Sequence, residues 1–315
     1  MTASEGKATL CSGEDYIRHF DPNAFIGEYY FDEAIDESDL HPFVLSKLHD
    51  FYAKTAQFRP NSAFVLEFGG GATVSHLISC TQYASTIVLA DYTPASLETM
   101  DRWRKTTPSN KEEEPPTPTH ERKSPTPTHE RKSPTPTHER KSPTPTHERK
   151  SPTPTHDWTS FFRYVVRNLE TNDDDEAPAR RAAELRVKLS SLVPCNILDD
   201  EPLRSDGYDR AFDVVSSSFC LEVACRTRTE FKSSVKKLAA LLKGSGSWLV
   251  LNCVLGENSY PVGDKVFFAL SLTDVVVKEA LDEAGFRLVE FESIALRQKV
   301  EGLATAACHA VGQLK

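Results

Sequence analysis

The residues best equipped for chemistry stand in two short strings. One is Glu67-Phe68-Gly69-Gly70-Gly71-Ala72-Thr73, placed where the apolar run AFVLEF ends. The other is Asp91, in LADYT, where the apolar run TIVLA ends. Glycines leave no Cβ between the backbone and a ligand. In a parallel sheet both strings fall on the same carboxyl edge, where an acid can accept the two hydroxyls of a ribose. A dinucleotide loop requires a third glycine where Val74 stands, and no Gly-Lys-Ser/Thr is present, so the dinucleotide fingerprint and the P-loop are both disfavoured. The surviving pattern, acid-x-Gly-x-Gly followed by a strand-end acid, suits S-adenosylmethionine, with its ribose on Asp91 and its amino-acid moiety among the glycines. Blander readings make Glu67 a strand-end carboxylate satisfied by loop amides and Asp91 a helix N-cap.

Holding these residues together requires alternating strands and helices. Residues 63–68 and 86–90 read as buried strands, with a helix over 73–80 between them. Pro94 suits the first turn of a helix running through Trp103. Beyond the insertion described below, a strand is expected at 161–167. The acids at 173–176 then load the start of a helix that reaches about Ser190. Next come a strand at 212–216, an amphipathic helix at 229–242 and a strand at 247–253. A helix at 273–284, ended by Gly285, precedes strands at 287–296 and 303–311. This alternation predicts a parallel α/β sheet with helices on both faces and a terminal antiparallel pair. Residues 1–62 are helical and aromatic and read as a cap on a core spanning 63–315.

One segment cannot belong to that core. From Pro115 the chain runs PPTPTHERK, three copies of SPTPTHERK, then SPTPTH to His156. Two prolines per unit favour an extended path, and no unit carries an apolar side chain larger than a threonine methyl. Residues 106–155 therefore read as a disordered tandem-repeat insertion in a surface loop, tolerated because loop closure costs little more with length. Its Ser-Pro and Thr-Pro pairs and its prolines leave phosphorylation or a docking partner open. The 315 residues are 39% hydrophobic and 26% charged, enough for one large or two small soluble domains. No apolar run approaches the ~20 residues of a membrane span, and the first residues lack the basic head and apolar core of a secretory signal. Seven scattered cysteines, with no CxxC and no metal-ligand spacing, suit reduced thiols in the cytosol and no metal. A net charge of −9 gains nothing from phosphate neutralisation, so neither nucleic acid nor a membrane is an expected partner, and a cytosolic monomer is the expectation.

Read in order, the motifs resemble the small-molecule N-methyltransferases that include the nicotinamide, phenylethanolamine and indolethylamine (thioether) enzymes. The likeness begins at YIRHFDPNAFIGEYY and continues through FVLEFGGGATVSHLISC and IVLADYTPASLETMDRWRK. After the repeats it resumes at HDWTSFFRYVVRNLE, CNILDDEPL, FDVVSSSFCLEVAC and LLKGSGSWLVLNCVLGENSYPVGDKVF. The resemblance implies a class I methyltransferase (Rossmann-like) fold, with a seven-stranded, mostly parallel sheet and an N-terminal helical lid. It also implies S-adenosylmethionine as cofactor. By position, Tyr30 matches a lid tyrosine, while Phe25 replaces another. Gly69, Gly71 and Thr73 match the loop around the methionine part, and Ser75 replaces a tyrosine there. Asp91 matches the ribose acid, with Tyr92 beside the adenine. Ser96 stands at a usual asparagine, Asn196 and Ile197 replace an Asp-Val pair that holds the adenine, and Ser218 matches a threonine near the cofactor.

The acceptor side departs further. The nicotinamide enzymes carry an aspartate where Cys253 stands and a serine where Ala269 stands, which disfavours nicotinamide. Glu257 and Tyr260 fall on an amine-binding glutamate and a tyrosine of the phenylethanolamine branch. Phe219, in Phe-Cys-Leu-Glu, resembles that branch too, whereas Lys299 replaces its second acid. The expected activity is methylation of a small amine, with Glu257 binding the ammonium and taking its proton. The rival readings are a weak or dead S-adenosylmethionine-binding protein with a proline-rich arm, a pyridine N-methyltransferase and a dinucleotide oxidoreductase.

Overall fold

The structure, a computed structural model, describes residues 10–55, 59–106, 155–203, 207–256, 259–297 and 304–315. The chain divides into one unit of residues 1–105 and 155–315 and a second of residues 106–154. Residues 107–154, which hold all of the repeats but Thr155 and His156, lie outside the described residues. In the first unit a lid of helices α1 (Glu14–His19), α2 (Pro22–Tyr29), α3 (Ala34–Glu37) and α4 (Leu40–Lys54) precedes the sheet. Asp21 caps α2 by accepting from the Asn23 and Ala24 amides, and Pro22 fits its first turn.

Seven strands form one sheet in the order β3-β2-β1-β4-β5-β9-β8. They are β1 (Ala63–Phe68), β2 (Ala84–Asp91), β3 (Leu189–Pro194), β4 (Val214–Ser218), β5 (Trp248–Leu255), β8 (Phe286–Ala295) and β9 (Ala306–Leu314). Strands β1 to β5 pair in parallel, and β9 runs antiparallel between β5 and β8. The central strands are buried along nearly their whole length because both faces are covered, and their polar residues, Glu67, Ser216–Ser218 and Asn252, gather toward the carboxyl ends. Val65, Ile87 and Leu89 enter one core with the lid, whereas Leu66, Phe68, Val88 and Ala90 enter the other, as the two-residue period of a strand requires. Helices α5 (Pro94–Lys105), α6 (Thr159–Arg163), α7 (Ala177–Lys188), α8 (Leu221–Ala224), α9 (Arg228–Ala240) and α10 (Asp274–Glu283) connect and cover the sheet. Strand order reverses at β1, which has β2 on one side and β4 on the other. The crevice beyond the carboxyl ends of β1 and β4 is therefore the place for a ligand.

Three local expectations need correction. The helix expected over 73–80 is two 3-10 turns, Ser75–Leu77 and Ser79–Gln82. Thr73, Val74, Ser75, Ser79 and Thr81 are weak helix formers, and the Thr73 and Thr81 hydroxyls instead donate to the Gly70 and Leu77 carbonyls. The strand expected at 161–167 is helical: α6 runs into a π-turn at Tyr164–Leu169. Phe161, Phe162, Val165 and Val166 are buried along one side of it, a spacing of four that periodicity over so short a run does not separate from a strand. The helix expected to reach Ser190 ends at Lys188, because Leu189–Pro194 form the edge strand β3. A small hairpin, β6 (Ser259–Val262) with β7 (Lys265–Phe268), had no sequence signal strong enough to place it.

Candidate active site

A cavity of about 150 Å³ opens beyond β1, β2 and β4. The glycine loop makes its floor. Gly69 and Gly70 donate their amides to the Ala90 carbonyl, tying the loop to β2. Gly69 has φ +72°, and a Cβ there would lie 2.0 Å from Cys220 Sγ. Gly71 has φ +61° with nothing within 4 Å of a Cβ, so its free side faces open space. Asp91 ends β2 against this loop. Its Oδ2 accepts from the Gly71 amide, and its Oδ1 accepts from the Thr93 amide and hydroxyl, each at 2.8 Å. The Thr93 hydroxyl also lies 2.5 Å from that of Ser96. Burial raises the Asp91 pKa, and the Thr93 donors act against it. A carboxylate has about four acceptor sites, so Asp91 keeps capacity for a ligand hydroxyl.

The remaining walls come from several elements. Tyr92, Ser96, Asn196, Ile197 and Ser218 line the cavity, with Phe25 and Tyr30 from the lid. Asn196 has spent its amide internally: Nδ2 donates to Asp199 and Oδ1 accepts from the Leu198 amide. Ser218 accepts from Asn252 Nδ2 on β5, whose Oδ1 is 2.8 Å from His309 Nδ1 on β9. Since Oδ1 only accepts, the histidine proton sits on Nδ1 in this arrangement, and burial keeps that ring neutral by lowering its pKa to about 3. Ser75 is buried but does not line the cavity. Its place on the wall is taken by His76, which sequence reasoning missed. Tyr16, Phe20, Cys195 and Cys220 were also missed, because only tertiary packing brings them here.

A second cavity of about 230 Å³ adjoins the first. Tyr16, Phe25, Tyr30, Phe219 and Val223 line both. Tyr260 and Ala269 line the second cavity, and the Tyr260 hydroxyl meets that of Tyr16 at 2.6 Å, joining the β6–β7 hairpin to the lid. Burial raises the pKa of both phenols, so both stay protonated. Tyr29 donates to the Pro261 carbonyl across the same seam. The lid adds Glu28, Glu37 and Asp39 to the lining. Glu28 accepts from the Gly263 amide, and Asp39 pairs with Arg297 at 3.2 Å. Cys253 does not reach this cavity: it is buried opposite Cys308 in the β5–β9 register, a correction to its expected role in substrate binding. Glu257 and Lys299 lie outside the described residues. Among the described residues no cluster of histidine, cysteine or carboxylate side chains could hold a metal ion, and no helix is long and apolar enough to cross a membrane.

Mouse indolethylamine N-methyltransferase is 23% identical over 294 residues, covering 93% of this chain and 91% of that protein. Human nicotinamide N-methyltransferase is 23% identical over 286 residues, covering 90% and 88%. Pig phenylethanolamine N-methyltransferase is 18% identical over 280 residues, covering 89% and 82%. The sequence profile of the NNMT/PNMT/TEMT family matches residues 8–117 and 149–308, breaking only within the repeats. That match takes in the residues that line both cavities and the sheet as far as Cys308 in β9, and the chain belongs to this family of S-adenosylmethionine-dependent methyltransferases.

Proposed function

We propose that this enzyme transfers a methyl group to the nitrogen of a small amine. The observation that carries the reading is the pair of adjoining cavities. The first has an open glycine cradle and a strand-end acid, and the second is aromatic with carboxylates in its lining. When bound, S-adenosylmethionine supplies an electrophilic methyl group on a positively charged sulfur. Gly71 and Thr73 are suited to its methionine part, Asp91 to its ribose, and Tyr92 and Ile197 to its adenine. Tyr16, Phe25, Tyr30 and Phe219 form the wall common to both cavities. Their rings exclude water and hold an acceptor in line with the donor, which is the main source of acceleration in such a displacement.

An amine arrives as an ammonium and must lose its proton before its nitrogen can attack. Arg297 also lines this cavity and pairs with Asp39, so Glu28 and Glu37 are the carboxylates that raise the local concentration of a cation. Glu257 is the proposed proton acceptor. The chain returns to the second cavity at Ser259 and Tyr260, directly after it. Nicotinamide is disfavoured on this reading, because Ala269 offers it no polar group and Cys253 is turned into the core. Mass-spectrometric detection of methylated products, over primary and secondary arylalkylamines and pyridines, tests the proposal. Turnover of amines with nicotinamide inert is the expected result. Nicotinamide as the best acceptor, or no turnover despite donor binding, overturns it.

A further inference from the structure

We propose that His76, with the Glu67 carboxyl behind it, receives the amino-acid end of the methyl donor and replaces the tyrosine hydroxyls missing at Phe25 and Ser75. His76 lines the donor cavity three residues beyond Thr73 and is 6% exposed. Its Nδ1 has no hydrogen-bond partner among the described residues and lies 3.8 Å from Glu67 Oε1. Glu67 is 1% exposed, and the Ser216 and Ser218 hydroxyls of β4 are the protein groups that approach its carboxyl as hydrogen-bond partners. The Tyr30 and Phe219 rings flank the imidazole at 6.5 and 5.7 Å. A buried imidazole nitrogen without a partner, set beside a buried carboxyl, is costly, and a ligand that draws the two together explains the arrangement.

The chemistry matches an ammonium. A neutral imidazole whose Nδ1–H faces a carboxylate offers the lone pair of Nε2 to a donor. Such contacts are often long in an empty site and tighten with the ligand. Burial lowers the His76 pKa to about 3, with His41 adding to the shift, so the ring is neutral at ordinary pH. Burial raises Glu67 to about 7, against the Ser216 and Ser218 hydroxyls of β4. The other titratable groups facing the pair are His41 and Tyr52 of α4, Tyr30 just after α2 and Cys80 of the second 3-10 turn. His41 is lowered to about 4 by burial, and burial raises the other three, so all stay neutral near pH 7. Glu67 is thus the member that titrates there. A bound ammonium favours its ionised form and expels a proton. Affinity then falls as pH drops below about 7, by up to about tenfold per unit. Above the ligand's own ammonium pKa of about 8 it falls again.

Calorimetry with S-adenosylhomocysteine and 5′-methylthioadenosine tests this without an acceptor, so a failed amine screen leaves the measurement intact. Methylthioadenosine has the nucleoside but no amino-acid end, and it controls for Asp91, which faces the ribose. Between pH 7 and 5.5 the wild-type protein is expected to lose at least about fivefold more affinity for homocysteine ligand than for methylthioadenosine. His76→Leu is expected to weaken S-adenosylhomocysteine about tenfold or more while changing methylthioadenosine less than about twofold. His76→Gln, which keeps a polar group, recovers most of that loss, and Glu67→Gln flattens the pH dependence. Coincident wild-type pH profiles for the two ligands, or equal weakening of both in His76→Leu, overturns the proposal.

Discussion

Asp91 holds the Gly71 and Thr93 donors, so it is the clasp of the loop, and the proposed donor site gives it a ribose to receive as well. Removing it deletes charge-assisted hydrogen bonds to a ribose and frees the Gly71 amide. Asp91→Ala is expected to weaken S-adenosylhomocysteine by about 30–150-fold, or about 2–3 kcal/mol. Unchanged affinity by calorimetry would remove Asp91 from the donor site. The acceptor side calls for a different readout. Glu257→Gln keeps size and polarity but cannot take a proton. It is expected to leave donor affinity intact and lower kcat/KM for the best amine by about 10²-fold or more. A variant equally active on that amine would place the carboxylate in solvent. His309 tests a residue remote from both ligands. Its buried ring stays neutral to about pH 3 while the unfolded chain binds a proton below about 6.5. Between those values the unfolded state holds more protons, so acid erodes the stability that a neutral histidine contributes. His309→Gln is therefore expected to destabilise the protein at pH 8 and to close about 2 kcal/mol of that gap at pH 5. Parallel stability curves for the two proteins would show that the ring is not held neutral.

The glycine loop shows what an element can disclose in advance. Its position after β1 was legible, because AFVLEF is a short apolar run ended by glycines. The conformation after it was not. Side chains such as Thr73 and Thr81 choose between helix and tighter turns by bonding to nearby carbonyls, and that contest is decided by packing. Alternation placed six of the seven sheet strands and the acid ending β2, but put the third strand at 161–167 instead of 189–194, and the resemblance supplied much of the first cavity's wall. His76 did not, since a lone histidine in an apolar stretch gives no signal until Glu67 is found beside it. The second cavity was legible only in part, as Tyr16 meets Tyr260 and Glu28 meets Gly263 through contacts about 240 residues apart in sequence. The loop itself offers a separable test. Gly69→Ala drives a Cβ into Cys220 and is expected to cost about 2–4 kcal/mol, seen as a lower Tm. Gly71→Ala meets no atom of the protein and costs only the strain of a left-handed alanine, about 1–2 kcal/mol. Its methyl group enters the donor's space, so S-adenosylhomocysteine binding should fall by about tenfold or more. Equal Tm losses in both variants, with donor binding kept in Gly71→Ala, would contradict the cradle.

At the scale of the whole molecule, the question is whether the repeats belong to the enzyme. The family profile resumes at residue 149 after breaking at 117, so the intervening stretch has no counterpart in the sequence common to the family. The surrounding unit is complete without it: α5 ends at Lys105, α6 begins at Thr159, and both contribute to one core through Met100, Trp103, Phe161 and Phe162. Nothing in the SPTPTHERK composition can add to that core, since the repeat lacks large apolar side chains. Shortening the connection also lowers its closure entropy cost, by about 1 kcal/mol or less for a loss of some thirty residues. Deleting residues 118–148 is therefore expected to leave Tm unchanged or raised by a few degrees, with S-adenosylhomocysteine affinity and amine turnover within about twofold of the intact chain. Calorimetric melting and the same amine assay measure both. A Tm lower by more than about 5 °C would mean that the repeats pack on the enzyme. Lost turnover with unchanged donor affinity would mean instead that they act on the acceptor side.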